Sequence, residues 1–349
     1  MLLIVGECEK RIFGLRPAQR LEHQMRKRDD VILVVDASAV IDDGALDWLV
    51  DHRGTVIASM SGRALAVAVD SSDVASAKRA VSGQPTQLPV VIPQGEQFVR
   101  KLRRRVALGA YSLADEPVEA IEKRLFSNVY KGVTDIVTKY VWPWPAFHVT
   151  RFCARLGITP NSITFVGVIL VFVAGWFFYQ GDLPTGLAAA WLMTFLDTVD
   201  GKLARVTNSS SAFGNLLDHG TDVIHPPIWW FCLAHGLVVS HPADSIRVWP
   251  AFWIILSCYL IGRIVEISFH RCFGFNQYIW QPLDSAFRLI VSRRNIILLI
   301  MTVGLILGLP VMAYLLCAAW SVISTAIQLI RITQAFVLAR RRPVTSWLY

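Results

Sequence analysis

A chain of 349 residues with 54% hydrophobic and 17% charged residues, and a mean hydropathy of +0.46, carries more apolar surface than a soluble core of that size covers. The formal charge of +8 is uneven: residues 1–120 hold 16 Lys/Arg against 16 Asp/Glu, and residues 121–349 hold 18 against 10. The basic excess flanks apolar segments, which argues against a nucleic-acid partner and for cationic anchors beside a membrane.

In chain order, residues 1–85 read as a small soluble α/β domain. Leu2–Gly6, Val31–Ser38, Val56–Met60 and Leu65–Asp70 are short β-branched runs bounded by turn residues. A helix over Pro17–Arg28 gives a strand–helix–strand rhythm suited to a parallel sheet. The stretch SGQPTQLPVVIPQGE, 82–96, reads as a linker, and 86–150 as a basic linker with interfacial helices. Arg100, Lys101, Arg103, Arg104 and Arg105 form either a solvated helical face or a contact with anionic lipid. Trp142, Trp144 and Phe147, interleaved with prolines, fit the headgroup belt.

Six transmembrane helices are predicted at 162–180, 184–200, 212–238, 249–270, 294–309 and 311–331. They make residues 151–335 an α-helical integral membrane bundle, followed by a cytoplasmic tail over 336–349. Connections on one side carry Lys202 and Arg205, then Arg271, Arg288, Arg293 and Arg294, then Arg340, Arg341 and Arg342; the other side carries Arg247. The positive-inside rule puts both termini, and the acidic motif below, on the cytoplasmic side of the inner (cell) membrane. No basic patch precedes a long apolar core at the start, so no cleaved leader is expected. The six cysteines lack the spacing of a metal or redox site and read as structural.

The informative segment is DTVDGKLARVTNSSSAFGNLLDHGTD, from Asp197 to Asp222. Asp197 and Asp200 are three apart and share a helix face; Gly214, Asp218 and Asp222 recur every fourth residue on the next helix. The polar turn over 206–213 aims four carboxylates at one point. Converging intramembrane anions repel, and hard divalent cations that also bridge substrate phosphates relieve the repulsion. Carboxylates alone leave ion pairing with Lys202 and Arg205, or a transporter's proton path, open as the alternative to metal binding.

The spacing D-x-x-D-G-x-x-A-R, eight residues, G-x-x-x-D-x-x-x-D resembles the signature of the CDP-alcohol phosphotransferases at every position. That resemblance covers roughly 120–335 and implies a metal-dependent enzyme that moves a phosphate-linked alcohol from a CDP-alcohol donor to an alcohol or alcohol-phosphate acceptor, releasing CMP. It implies two Mg²⁺ or Mn²⁺ ions held by Asp197, Asp200, Asp218 and Asp222, with Asp222 also the general base. It places CDP against Asp197, Asp200, Gly201, Ala204, Arg205, Gly214 and Asp218. TPNSIT, 159–164, also resembles the family pattern and puts Pro160, Asn161 and Thr164 at the nucleotide pocket.

On the acceptor side, Arg263 and Glu266 form an internal ion pair, or Arg263 binds an anionic acceptor. Arg288, Arg293 and Arg294, near Asp284, either hold an acceptor phosphate or anchor the membrane face. His219 and His225 read as packing or support residues. The N-terminal domain is similar in layout to a shortened nucleotidyltransferase, as in cytidylyltransferase fusions, but lacks an evident triphosphate-cradling loop. A structural, dimerising or regulatory role is expected, and a homodimer is among the expected assemblies. The alternatives are a membrane transporter, for which no internal repeat is found, and an inactive scaffold, which should have lost a motif position. The spacing does not separate CDP-diacylglycerol from a CDP-polyol donor.

Overall fold

A computed structural model describes residues 1–349 except Lys27, Asp29, Asp30, Ser210 and Ser211; for 212–219, 221 and 222 the backbone alone is described. The chain forms two compact units. The first comprises Met1–Lys131, Phe147–Thr159 and Gly201–Ser210, and the second Gly132–Ala146, Pro160–Asp200 and Ser211–Tyr349.

In the first unit β1 (Leu2–Val5) and β2 (Ile32–Asp36) pair in parallel, with α1 (Pro17–Met25) crossing between them as the rhythm predicts. The rest of the sheet departs from a parallel one. After β3 (Ala39–Ile41) and α2 (Asp43–Asp51), β4 (Val56–Ala58) turns directly into β5 (Ala64–Val69). So short a loop can only join antiparallel strands, and β5 runs antiparallel to both β4 and β2. Beyond α3 (Val74–Val81), β6 (Val90–Val91) pairs in parallel with β4, giving the order β1-β2-β5-β4-β6. The stretch 82–96 is therefore more than a linker. Its two valines form an edge strand, where the flanking Pro89 and Pro93 are tolerated.

Leu33 and Val35 share one core with Leu46 and Leu49 of α2, and Val34 and Val67 share another with Ala77 and Ala80 of α3. Burial on both faces is why β2 reads as an unbroken apolar run. The stretch 86–150 also holds β7 (Glu96–Val99), β8 (Arg104–Ala107), β9 (Ala110–Ser112) and α4 (Val118–Asn128). β7 and β8 form a hairpin with Arg103 at φ 51°, so the arginine cluster sits on a hairpin and not on a helical face. β9 pairs with β3. Glu122 of α4, 1% exposed, accepts from the Phe13 amide at 3.0 Å and pairs with Arg151 of α5 (Pro143–Arg155) at 2.6 Å. A buried carboxylate is tolerated only with such partners.

The second unit is built on α6 (Pro160–Gln180), α7 (Leu183–Val206), α8 (Ala212–Ser240), α9 (Ser245–Phe273), α10 (Pro282–Phe287), α11 (Arg294–Ile306) and α12 (Pro310–Ala339). The end of α7, from Gly201, belongs to the first unit. Among the described residues four segments are long and apolar enough to cross a bilayer: Pro160–Gln180, Val223–Ser240, Pro242–Phe273 and Pro310–Ala339. Two of the six predicted spans fall outside this set. α11 has only 13 residues, and α7 ends in Asp197, Asp200, Lys202 and Arg205.

On α6, Ile163, Gly167, Val171, Ala174 and Phe178 are buried while Phe165, Phe172 and Trp176 are exposed. An apolar outer face of this kind suits lipid, which offers no hydrophobic penalty to it. α6 meets α8 through Gly236, where a Cβ would stand 1.9 Å from the Phe178 carbonyl oxygen. Trp229 Nε1 donates to the Val171 carbonyl at 2.8 Å across the same contact. Pro226 and Pro227 interrupt α8. Pro227 has no N–H for the Val223 carbonyl, and the Tyr259 hydroxyl of α9 donates to it instead, at 2.9 Å.

Candidate active site

α7 carries Asp197 and Asp200 one turn apart, both within the second unit. Asp200 is 6% exposed, and the Thr164 hydroxyl of α6 donates to its Oδ2 at 2.6 Å. Thr164 was singled out at the start of the first span; its partner among the carboxylates was not. Pro160 opens α6 and Asn161 lies exposed in its first turn.

Asp197 Oδ2 accepts from Arg294 Nη2 at 2.7 Å, and Arg294 Nη1 lies 3.4 Å from His225 Nε2. His225 is buried against Trp229 at 4.7 Å between ring centroids, which agrees with a supporting role. Arg294 also lines a cavity of ≈ 110 Å³ with Asp135, Pro226, Tyr259, Arg263, Arg288, Arg293 and Asn295. All four arginines assigned to the acceptor therefore come together. Among the described residues one carboxylate, Asp135, lines the cavity with them, while Glu266 and Asp197 pair with three of the four, so the lining carries a cationic excess.

Asp135 is the member that sequence reasoning missed. Its Oδ1 accepts from the Thr138 amide and from Asn295 Nδ2, each at 3.0 Å, and its Oδ2 from the Thr138 hydroxyl at 2.8 Å. Burial alone would raise this carboxyl; the Arg288 charge and those hydrogen bonds outweigh it and hold it below the usual range. The available signal was the D-x-x-T cap at 135–138, hidden in a segment read as interfacial.

Glu266 serves both Arg263, at 3.4 Å, and Arg293, while the Tyr278 hydroxyl donates to it at 3.0 Å. Arg263 forms the expected ion pair and also lines the cavity. Asp284 does not belong to the cluster: Arg331 grips both its oxygens, at 2.6 and 2.8 Å. Its role is to fix α10 to α12.

Gly201, Ala204 and Arg205 fall in the first unit. A Cβ at Gly201 would stand 3.2 Å from Arg205 Nη2, so glycine there lets the arginine fold back along its own helix. Gly214, Asp218, His219 and Asp222 lie outside the residues whose side chains are described. Among the described residues no group of three His, Cys, Asp or Glu side chains is close enough to hold a metal ion. Asp197 and Asp200 nevertheless offer the hard oxygen donors that Mg²⁺ and Mn²⁺ take.

The chain is similar to archaetidylinositol phosphate synthase of Pyrococcus horikoshii, 33% identical over 129 residues, and to cholinephosphotransferase 1 of Danio rerio, 34% identical over 130. The matched segments cover 37% and 31% of this chain, and 61% and 31% of those proteins. Among solved structures, phosphatidylinositol phosphate synthase of Mycobacterium tuberculosis with CDP-DAG bound aligns over 54% of this chain and 92% of its own, at 21% identity and a TM-score of 0.40. The family model for CDP-alcohol phosphatidyltransferases matches residues 157–347, more than half of the chain, and the protein belongs to that family.

Proposed function

We propose that the protein transfers a phosphate-linked alcohol from a CDP-alcohol to an acceptor that itself carries a phosphate, releasing CMP. The observation that carries this is Arg294, which lines the cationic cavity and at the same time grips Asp197 of the acidic motif. An acceptor phosphate seated among Arg263, Arg288 and Arg293 would thus lie beside the carboxylates expected to hold the donor. Arg293 Nε is buried with no partner among the described residues, a donor that a phosphate oxygen would satisfy.

Asp197, Asp200, Asp218 and Asp222 would hold two divalent cations, which supply charge neutralisation at the diphosphate. Pro160, Asn161, Thr164, Gly201, Ala204, Arg205 and Gly214 would border CDP, with Thr164 fixing the rotamer of Asp200 through their hydrogen bond. Asp222 would take the proton of the acceptor hydroxyl as it attacks the β-phosphate. Arg294 would orient Asp197 and screen it from its neighbours. In this reading α6, α7, α8, α9, α11 and α12 all cross the inner membrane, with both termini cytoplasmic, and the first unit has no transferase chemistry of its own. The charge asymmetry between the connections supports that orientation.

The test is CMP release by purified protein with Mg²⁺ or Mn²⁺, CDP-diacylglycerol or a CDP-polyol as donor, and matched acceptors with and without a phosphate. Turnover is expected with phosphorylated acceptors, and Arg293→Met is expected to raise the acceptor KM at least tenfold. Equal rates with both acceptor forms would refute the phosphate assignment.

A further inference from the structure

The first unit contains a second cavity of ≈ 110 Å³, which shares one residue, Arg205, with the proposed CDP border. Its polar lining is Arg20, Asp42, Asp43, Gln97, Asn128 and Arg205. Two of these are deeply buried and incompletely bonded. Arg20 is 5% exposed; its Nη1 donates to the Val206 carbonyl, and its Nε has no partner. Asp42 is 9% exposed; its Oδ1 caps α2 by accepting from the Ala45 amide at 2.9 Å, and its Oδ2 has no partner. Buried donors and acceptors left unpaired cost on the order of 1–3 kcal/mol each, and both of these side chains belong to the lining of one cavity, which marks a place for a ligand.

The surrounding backbone keeps that space open. A Cβ at Gly109 would stand 2.8 Å from Asp42 Oδ2 and 2.4 Å from the Tyr111 hydroxyl. At Gly44 a Cβ would stand 2.7 Å from Gln97 Oε1. Both positions edge the carboxylate, and neither accepts a side chain without displacement.

The lining also limits the ligand's charge. Arg20 and Arg205 are balanced by Asp42 and Asp43, in contrast to the four arginines against one aspartate of the other cavity. A free phosphate or nucleotide finds no excess cation here. The ligand must offer an acceptor to Arg20 Nε–H and a donor to Asp42 Oδ2, which neighbouring hydroxyls do. Leu102, Val106, Leu108 and Leu125 give the opposite wall an apolar surface suited to ring C–H groups.

We propose that this cavity is a non-catalytic binding site for a small, uncharged cyclic polyol, and that its occupancy is felt at the end of α7. The connection is direct, through one hydrogen bond. Arg20, which meets the ligand, also holds the carbonyl of Val206, the last residue of the helix that carries Asp197 and Asp200. His23 of the same α1 lies 3.4 Å from the Thr207 carbonyl, so α1 braces two consecutive carbonyls there. A ligand that orders Arg20 orders that turn.

The experiment uses the full chain in detergent, with saturation-transfer NMR and hydrogen exchange, and myo-inositol, inorganic phosphate and CMP as separate probes. Myo-inositol is expected to bind saturably and to slow exchange of the α7 amides 203–207. Asp42→Asn, which keeps a capping oxygen, and Asn128→Phe, which fills the mouth, should each weaken it at least tenfold. Arg293→Met should leave it unchanged. Loss of binding in Arg293→Met but not in Asp42→Asn would place the polyol in the arginine cavity and overturn the proposal while leaving the transfer reaction standing. Phosphate or CMP competing at the Asp42 site would overturn the neutral class. Absence of saturable binding, or binding without slowed exchange at 203–207, would overturn the site or its coupling respectively.

Discussion

Asp42 sets up a stability experiment whose sign is opposite to that of most surface carboxylates. Burial pushes its carboxyl from 3.8 up to about 6, against the hydrogen bond from the Ala45 amide and the opposing pull of the Gly109 backbone beside it. Between those values the folded chain holds a proton that the unfolded chain has lost, so stability falls as pH rises through that window. The deficit is complete above pH 6. A rise of that size, at about 1.4 kcal/mol per pH unit, corresponds to about 3 kcal/mol. Asp42→Asn removes the charge and keeps a good N-cap, but deprives Arg20 of one of its two nearby anions, Asp43 remaining. A net gain of about 1–2 kcal/mol at pH 8 is therefore expected, shrinking toward zero or reversing at pH 4. Hydrogen exchange of the α2 amides, corrected for intrinsic rates, measures it in the first unit alone. A mutant–wild-type difference that does not change between pH 4 and pH 8 would refute the reasoning.

Asp222→Asn is expected to lower single-turnover rates by a factor on the order of 10²–10⁴ with donor affinity kept, whereas Asp200→Asn should weaken metal and donor binding; a donor-binding assay beside rapid quench separates them. Arg294→Met, which removes one donor from Asp197, should lower turnover at least tenfold and shift the metal concentration needed for half-maximal rate; an unchanged metal dependence counts against the orienting role. Gly236→Ala should cost about 1–3 kcal/mol, because backbone and not a flexible side chain occupies the Cβ position, and thermal unfolding in detergent reads it. Tags at Met1 and Tyr349 should both be cytoplasmic and one near Pro242 should not, as protease protection of sealed vesicles will show.

Four helices of the second unit, α6, α8, α9 and α12, were legible because each holds a long apolar run, and the acidic motif because its spacing is fixed within one helix and the next. What the sequence hid was non-local. β5 carries the same apolar character whether it runs with or against β2, and only the short loop from β4 decides the direction. Val90 and Val91, framed by prolines, carry no periodicity long enough to read as a strand. Asp135 and Asn295 are 160 positions apart, and nothing near either one announces the other. The arginines were visible as a cluster, but their division into a cavity set and Arg331, which binds Asp284, depends on which helices face each other. Arg20 and Asp42 were invisible for a further reason: each sits in an amphipathic segment where a charged residue normally faces water.

The proline pair of α8 places a break in the hydrogen-bond ladder one turn after Asp222. Pro226 supplies no N–H to the carbonyl of Asp222, and Pro227 none to that of Val223. A ladder that lacks these two bonds is locally weaker at the gap. Only Val223 has a described substitute, the phenol of Tyr259, and that phenol is itself part of the wall of the arginine cavity. The backbone just after the last two motif aspartates is thus held by α9 as well as by its own helix. A Tyr259→Phe chain keeps the ring and removes that hydrogen bond, so it tests how far the end of the motif depends on α9.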